Sequence, residues 1–539
     1  MLNTTITCYL LPIIPIWLYA EIHYRFRFFP FSLYFKKEPE IIADAPFRIE
    51  PNHKLPISIL VKDAHRYPIH LKSIEIEITD LQKKTISQNI QIDEHINKLW
   101  WYKIFHIDTE VLNENCSISV NIYYNAGKKD KSCINHNLRD SHLQTLTTFI
   151  SPHQLPGKES GWHWGDIHFH SNYTEDFVEF GSPLLLTKCT ADALGLSFVC
   201  ITDHSYDLDD IPGSWNRSDP ELTKWKKSRV EINELNENGL PVLIPGEEVT
   251  SSNSHRQNVH TLVLNHPEFI PGSGDSAEKW FKTKSEHTIP EVSEMVNDSG
   301  LSIAAHPGME FSFLERLLLN RGWWEKEDYE VENVHGYQIL NGFFDKGFKH
   351  GLKLWTAQLL KGRKKFIYAG NDAHGNFNSF RQVKIPMLNL WSHSDQILGK
   401  CRTGILIDGT PNIENIISAL RKGSCVISNG PLLTITAESE SFGTKIGGII
   451  KGDNIVVKLN CLSNPELGTI RCVILHYGEI GSSSEIELVR EEPDDQVYTK
   501  LIQHNLQKIN SPGYIRGILI TTSPDGELFR CYTNPIWID

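Results

Sequence analysis

His168 and His170, in GDIHFHSNYTED, stand two residues apart with carboxylates on both sides. They could share a metal ion, pair with each other at a surface, or coincide by chance among 24 histidines. On an extended strand, residues two apart point to the same side, so both imidazoles can face one cavity. Further groups that suit a divalent ion follow along the chain. They are Asp203 and His204 in CITDHS, Glu247 and Glu248 in PGEEVT, His260 in NVHTLVL, His306 in AAHPG, and Asp372 and His374 in GNDAHG. Imidazoles suit Zn, Fe and Mn, and a carboxylate can bridge two ions. Each piece alone has an ordinary reading: a turn, a helix cap or a satisfied core histidine. Together they make a metal centre the leading expectation.

The elements around these residues repeat a grammar of helix, strand and polar group. In GSPLLLTKCTADALGLSFVCITDH, Ser182 is expected to cap a helix with Pro183 in its first turn. Leu185, Leu186, Cys189, Ala193 and Leu194 form its apolar stripe, and Gly195 stops it. LSFVCIT then reads as a buried strand ending at Asp203 and His204. In HTIPEVSEMVNDSGLSIAAHPG, Thr288 and Glu291 have the spacing of a capping box, and the strand LSIAA ends at His306. LPVLIPGEEVT and KKFIYAGNDAHG read as further strands that end near Glu248 and Asp372. Thr410 is expected to cap a last helix, with Ile413, Ile416, Ile417 and Leu420 as its stripe and Gly423 as its stop. Strands alternating with helices imply a parallel sheet or barrel whose site lies at the strands' C-terminal ends.

The flanks differ. Residues 1–155 carry alternating runs such as SIEIEI, which read as a β-rich domain. SPHQLPGKESG reads as a linker, 156–430 as the α/β domain, and 431–539 as a C-terminal β-sandwich domain. The run CYLLPIIPIWLYA is shorter than the ~20 residues a spanning helix needs, and Pro12 and Pro15 interrupt it. The expected compartment is cytoplasmic, although this run leaves a leader or membrane association open. The ten cysteines contain no CxxC, which suits a reducing compartment. A formal charge of −13 disfavours a nucleic-acid partner held through phosphate contacts, but not a small anionic substrate.

The motif order GDIHFHS, ITDHS, PGEEVT, VHTLVL, AAHPG and GNDAHG, over about 160–380, resembles the PHP family (polymerase and histidinol phosphatase domains). The flanking GWHWGDIHFHS and ALRKGSCVISNGPLLTI are similar to its carbaryl-hydrolase branch (CehA/McbA-like). The resemblance implies a distorted (β/α)7 barrel, here flanked by N-terminal and C-terminal all-β domains, with two or three divalent ions (Zn, Mn or Fe). By matching positions it implies His168, His170, Glu248 and Asp372 around a first ion. Glu248 would bridge to a second ion held by His260 and His306. His204 and His374 would hold a third, with Glu175 standing where the family usually has Asp; Asp176 is the alternative.

The implied reaction is hydrolysis by a metal-bridging hydroxide, most often of phosphate esters. Hydrolysis of a carbamate, ester or amide is the alternative, and a degenerate binding protein the third reading. Asp203 is expected to orient a ligand histidine. Arg256 and Arg381 are candidates to grip an anionic group, and His255 a candidate general acid. The expected partner is a small-molecule substrate, an anionic phosphate ester. Oligomeric state is not legible.

Overall fold

The computed structural model describes residues 36–539 apart from 139–144, 176–179, 215–216, 275–281, 297–299, 312–315, 318, 379–395, 441, 453 and 507–510. The apolar run at 8–20, Asp176 and Arg381 lie outside the described residues. No helix among the described residues is long and apolar enough to cross a membrane, and no described cysteine forms a disulfide.

The N-terminal third is stranded. Leu55–Lys62 lies between Glu40–Asp44 and Trp100–Ile107, antiparallel to both. A second sheet centres on Ile69–Asp80, with Thr85–Ile96 and Asn115–Ala126 beside it. The alternation in SIEIEI does what its period dictates. Ile74, Ile76 and Ile78 are buried between the two sheets, and Glu77 is exposed. Burying each isoleucine contributes about 1.5–3 kcal/mol relative to leaving it in water.

The expected (β/α)7 barrel flanked by all-β domains is not what this chain forms. Strand outweighs helix throughout, and the central strands belong to one 17-stranded mixed sheet. Trp162–His170, Phe198–Ile201 and Val242–Pro245 do run parallel. The strand Val242–Ser252 then continues through Glu247 and Glu248 and turns back, without a helix, into Asn258–Leu264. That strand is in turn antiparallel to Leu301–Ala304. Arg402–Leu406 runs antiparallel to Trp162–His170. Cys425–Ser428 pairs with Leu528–Thr533, so the same sheet continues across residue 431 into the C-terminal strands. The remaining C-terminal strands Leu432–Glu438, Ile455–Leu462 and Thr499–Leu506 form a four-stranded sheet with Gly443–Lys445.

Helices cover this sheet, and their caps deviate from expectation in detail. Thr288 and Glu291 form the capping box at the head of Ile289–Met295. Asn412, not Thr410, caps Ile413–Lys422, and Gly423 ends it at φ 66°. Pro183 rather than Ser182 occupies the cap of Leu184–Ala193, which shifts the buried stripe. Leu184 is buried and Leu185 exposed.

Candidate metal centre

Eight of the expected ligands surround one point of the sheet. His168 and His170 sit at the end of Trp162–His170, on the same face and fully buried. His204 follows the end of Phe198–Ile201 and bridges to Glu248. Glu248 and Glu247 are adjacent on one strand and therefore face opposite sides. Glu248 faces the histidines; Glu247 faces away, bonded to Trp225 Nε1 at 2.8 Å and paired with Arg229 at 3.1 Å.

The carboxylate of Glu248 is the geometric centre. Its Oε1 lies 2.7 Å from His260 Nδ1 and 3.1 Å from His306 Nε2. Its Oε2 lies 3.0 Å from His204 Nδ1, 3.3 Å from His170 Nε2 and 3.4 Å from His168 Nε2. Asp372 Oδ1 is 3.1 Å from His170 Nε2 and 3.4 Å from His168 Nε2. These atoms fall into three sets of ligand spacing: His168, His170, Glu248 and Asp372; Glu248, His260 and His306; and His170, His204 and His374. His168 Nε2 and His170 Nε2 face each other at 3.2 Å, with carboxylate oxygens beside both. Such a buried, mixed imidazole and carboxylate set fits a borderline divalent ion.

Electrostatics agree with that donor set. Burial pushes the Glu248 carboxyl up, but His260, His168 and His204 together hold it well below the usual carboxylate range. Asp372 is held low in the same way, burial being outweighed by His168 and by the bond from His170. Burial and His204 push His170 down, yet Asp372 and Glu248 outweigh them and lift it to about 9. Burial instead holds His306 below its ordinary value. The centre thus keeps both carboxylates, the buried Glu248 and the half-buried Asp372, ionised and has cation-seeking charge at its middle.

Two of the eight also carry backbone strain. His306 has φ 30° and Asp372 has φ 52°, in the left-handed region that non-glycine residues rarely adopt. Such positions cost about 1–3 kcal/mol each and persist only where the surroundings over-determine them. For Asp372, its N–H donates to His168 O at 2.9 Å, which ties the strained turn to the ligand strand.

Several residues that position these ligands carry no metal motif of their own. Gln338, buried on Gly336–Asn341, has Oε1 2.8 Å from His168 Nδ1, which leaves Nε2 directed at the cluster. Thr174 Oγ1 lies 3.2 Å from His170 Nδ1 and accepts from the His204 N–H at 3.2 Å. Asn341 and Gln396 donate to Asp372 Oδ2 at 3.4 and 3.3 Å. The one sequence signal for Gln338 is a polar residue inside an otherwise apolar strand, GYQIL.

Other expectations are corrected. Glu175 does not join the histidines; it pairs at 3.3 Å with Lys62, a fully buried lysine of the N-terminal strand Leu55–Lys62. Lys62 also pairs with Asp63 at 2.9 Å and lies over the rings of Phe180 and Trp100. Asp203 bonds to no imidazole among the described residues. It accepts from Ser171 N at 2.7 Å, Ser171 Oγ at 2.6 Å and Thr174 N at 3.1 Å, so it acts on His170 only through Thr174. His255 and Arg256 are exposed at the hairpin turn after Ser252, and His255 pairs with Glu325 at 3.1 Å. Neither reaches the cluster.

A cleft of about 820 Å³ opens beside His306, Asn341 and Gln396. Met309, Phe343 and Phe348 form much of its apolar wall, and Lys346 supplies a cation. The helix Lys346–Leu360 begins here, capped by Asp345, so its first turn borders the cleft. That volume and lining suit a small organic substrate.

No family profile and no curated protein matches the chain. Among solved structures, a glycosyl hydrolase family 2 member from Bacteroides cellulosilyticus DSM 14838 is 9% identical, aligned over 93% of this chain and 63% of its own, with a TM-score of 0.17. Parabacteroides merdae β-glucuronidase is 8% identical over 93% of this chain and 64% of its own, with a TM-score of 0.18. The chain spans less than two thirds of the length of either, and likeness this slight carries no inference about fold or activity.

Proposed function

We propose that this chain is a metal-dependent hydrolase acting on phosphate esters. The observation that carries the reading is Glu248, whose two oxygens serve different histidine sets while the whole carboxylate is buried. The resemblance of the motif order to PHP sequences supports the same reaction class, although the reading does not need the barrel that resemblance implied. His168, His170, Glu248 and Asp372 would hold one ion, and Glu248, His260 and His306 a second. Divalent ions held here would supply a nucleophile at neutral pH and stabilise charge on the attacked group.

The chain's own residues do the rest. Gln338 and Thr174 fix the ring orientations of His168 and His170. Asn341 and Gln396 keep Asp372 turned toward the cluster. Lys346 and the first turn of its helix offer positive charge to an anionic group in the cleft.

A second reading, cleavage of an aryl carbamate or ester, is favoured by the apolar wall of Met309, Phe343 and Phe348. Parallel turnover assays on p-nitrophenyl phosphate, its diester and a naphthyl carbamate separate the two. The first reading expects Mn-, Fe- or Zn-dependent release from a phosphate ester that disappears in Asp372→Asn. Turnover of the carbamate alone would replace it with the second. Inactivity on all three after loading with each metal would remove both.

A further inference from the structure

A second cavity, of about 420 Å³, lies where the N-terminal strands, the central sheet and the C-terminal strands meet. Arg48, Lys400, Arg402 and Arg530 line it, against the carboxylates of Glu466 and Glu527. The cations are not equally engaged. Arg48 spends itself on Glu466, with Nε 2.5 Å from Oε1 and Nη2 3.1 Å from Oε2, and on the carbonyl of His153. Ser151 Oγ takes a further bond to Glu466 at 2.6 Å, so that carboxylate is largely satisfied locally. Arg530 stacks its guanidinium over Phe344 at 5.1 Å.

Arg402 is different. It is 3% exposed, on the strand Arg402–Leu406, and no carboxylate among the described residues lies within ion-pair distance of it. Its Nη2 donates to the Asn429 carbonyl at 3.2 Å, and its buried Nε has no hydrogen-bond partner among the described residues. Burial, then the neighbouring Arg48, lower its guanidinium to about 10 against the opposing pull of Glu466 and Glu50, so it stays charged at neutral pH. A buried guanidinium held only by more distant carboxylates is costly, because buried charges are ordinarily paired directly.

We infer that this cavity is a binding site for a small oxyanion, a phosphate or carboxylate group, held by the Arg402 guanidinium with Lys400 and Arg530 at its rim. Arginine's planar fork matches either group bidentately, which a lysine at that place would not. The site uses none of the metal-centre residues. Its wall does include Phe343, which also lines the larger cleft, so the two spaces lie on either side of one residue.

The test is calorimetric titration of the full-length chain carrying Asp372→Asn, which disables the metal centre, with inorganic phosphate and separately with succinate. Saturable binding of at least one is expected, and which one binds identifies the anion class. Adding Arg402→Gln is expected to weaken it about 10- to 100-fold, the loss of a charge-assisted pair, and Arg402→Lys to restore part of it. Should Arg402→Gln fail to fold, Lys400→Met and Arg530→Met at the rim decide, each expected to weaken binding several-fold. Absence of saturable binding of both anions at millimolar concentration would overturn the site. So would affinity unchanged by Arg402→Gln, or by both rim changes where Arg402→Gln is unfolded. Neither result bears on the metal centre.

Discussion

Glu248→Gln is the perturbation that most sharply probes the bridging geometry. The amide keeps the shape of the side chain, which is 1% exposed, but removes its charge and replaces one acceptor oxygen with a donor. In the native arrangement five imidazole nitrogens approach the carboxylate at 2.7–3.4 Å, two at Oε1 and three at Oε2. Unit charges ~3 Å apart interact by ~5.5 kcal/mol at an effective dielectric of ~20, so the lost attraction is large even after solvation returns part of it. Changing a residue that merely orients a ligand costs roughly 10- to 100-fold in metal affinity. A direct, shared ligand should therefore cost at least about 100-fold at each ion, or ~2.7 kcal/mol per ion. The assay is competition with a chromophoric chelator, with elemental analysis of the protein after gel filtration. Loss at both sites is the expected result. If one site weakened while the other kept its native affinity, Glu248 would be a simple ligand and not a bridge.

Three further outcomes follow from the same geometry. Gln338→Leu should weaken metal binding about 10- to 100-fold while leaving the fold intact, because His168 Nδ1 loses its partner at 2.8 Å; chelator competition beside a thermal melt reads both effects. Gly370→Ala would place a Cβ 2.7 Å from His168 Cβ and 2.9 Å from His168 N. It should lower stability by about 1–3 kcal/mol in denaturant titration and reduce metal content as well, and a neutral result would mean that the ligand strand gives way freely. Glu175→Gln should leave metal content per chain unchanged, since its partner is Lys62; loss of an ion on elemental analysis would restore Glu175 as a ligand.

The candidate site was more legible than the fold, for a physical reason. Ligand chemistry is written in residue types, so His168, His170, Glu248, His260, His306 and Asp372 stand out as a set, and the structure brings them within ligand spacing. Strand direction is not written that way. Runs such as LPVLIPGEEVT and NVHTLVL announce strands but not whether their partner runs parallel. The polar SSNSHRQ between them is a hairpin signal that the expected strand–helix alternation overrode. That one hairpin places Glu248 in mid-strand and breaks the barrel pattern. Glu175 illustrates the other limit: the resemblance to PHP sequences implied a ligand at its position, but Lys62, remote in sequence, pairs with it. Gln338 and Thr174 were missed because a hydroxyl or amide that orients a ring leaves no spacing pattern at all.

The central claim is that two ions sit on either side of the Glu248 carboxylate. Anomalous diffraction from crystals grown with Mn tests it most directly. The account predicts two strong peaks flanking Glu248, one within ligand reach of His168, His170 and Asp372, the other of His260 and His306. Crystals that show no anomalous peak within reach of Glu248, at saturating Mn and neutral pH, would contradict it.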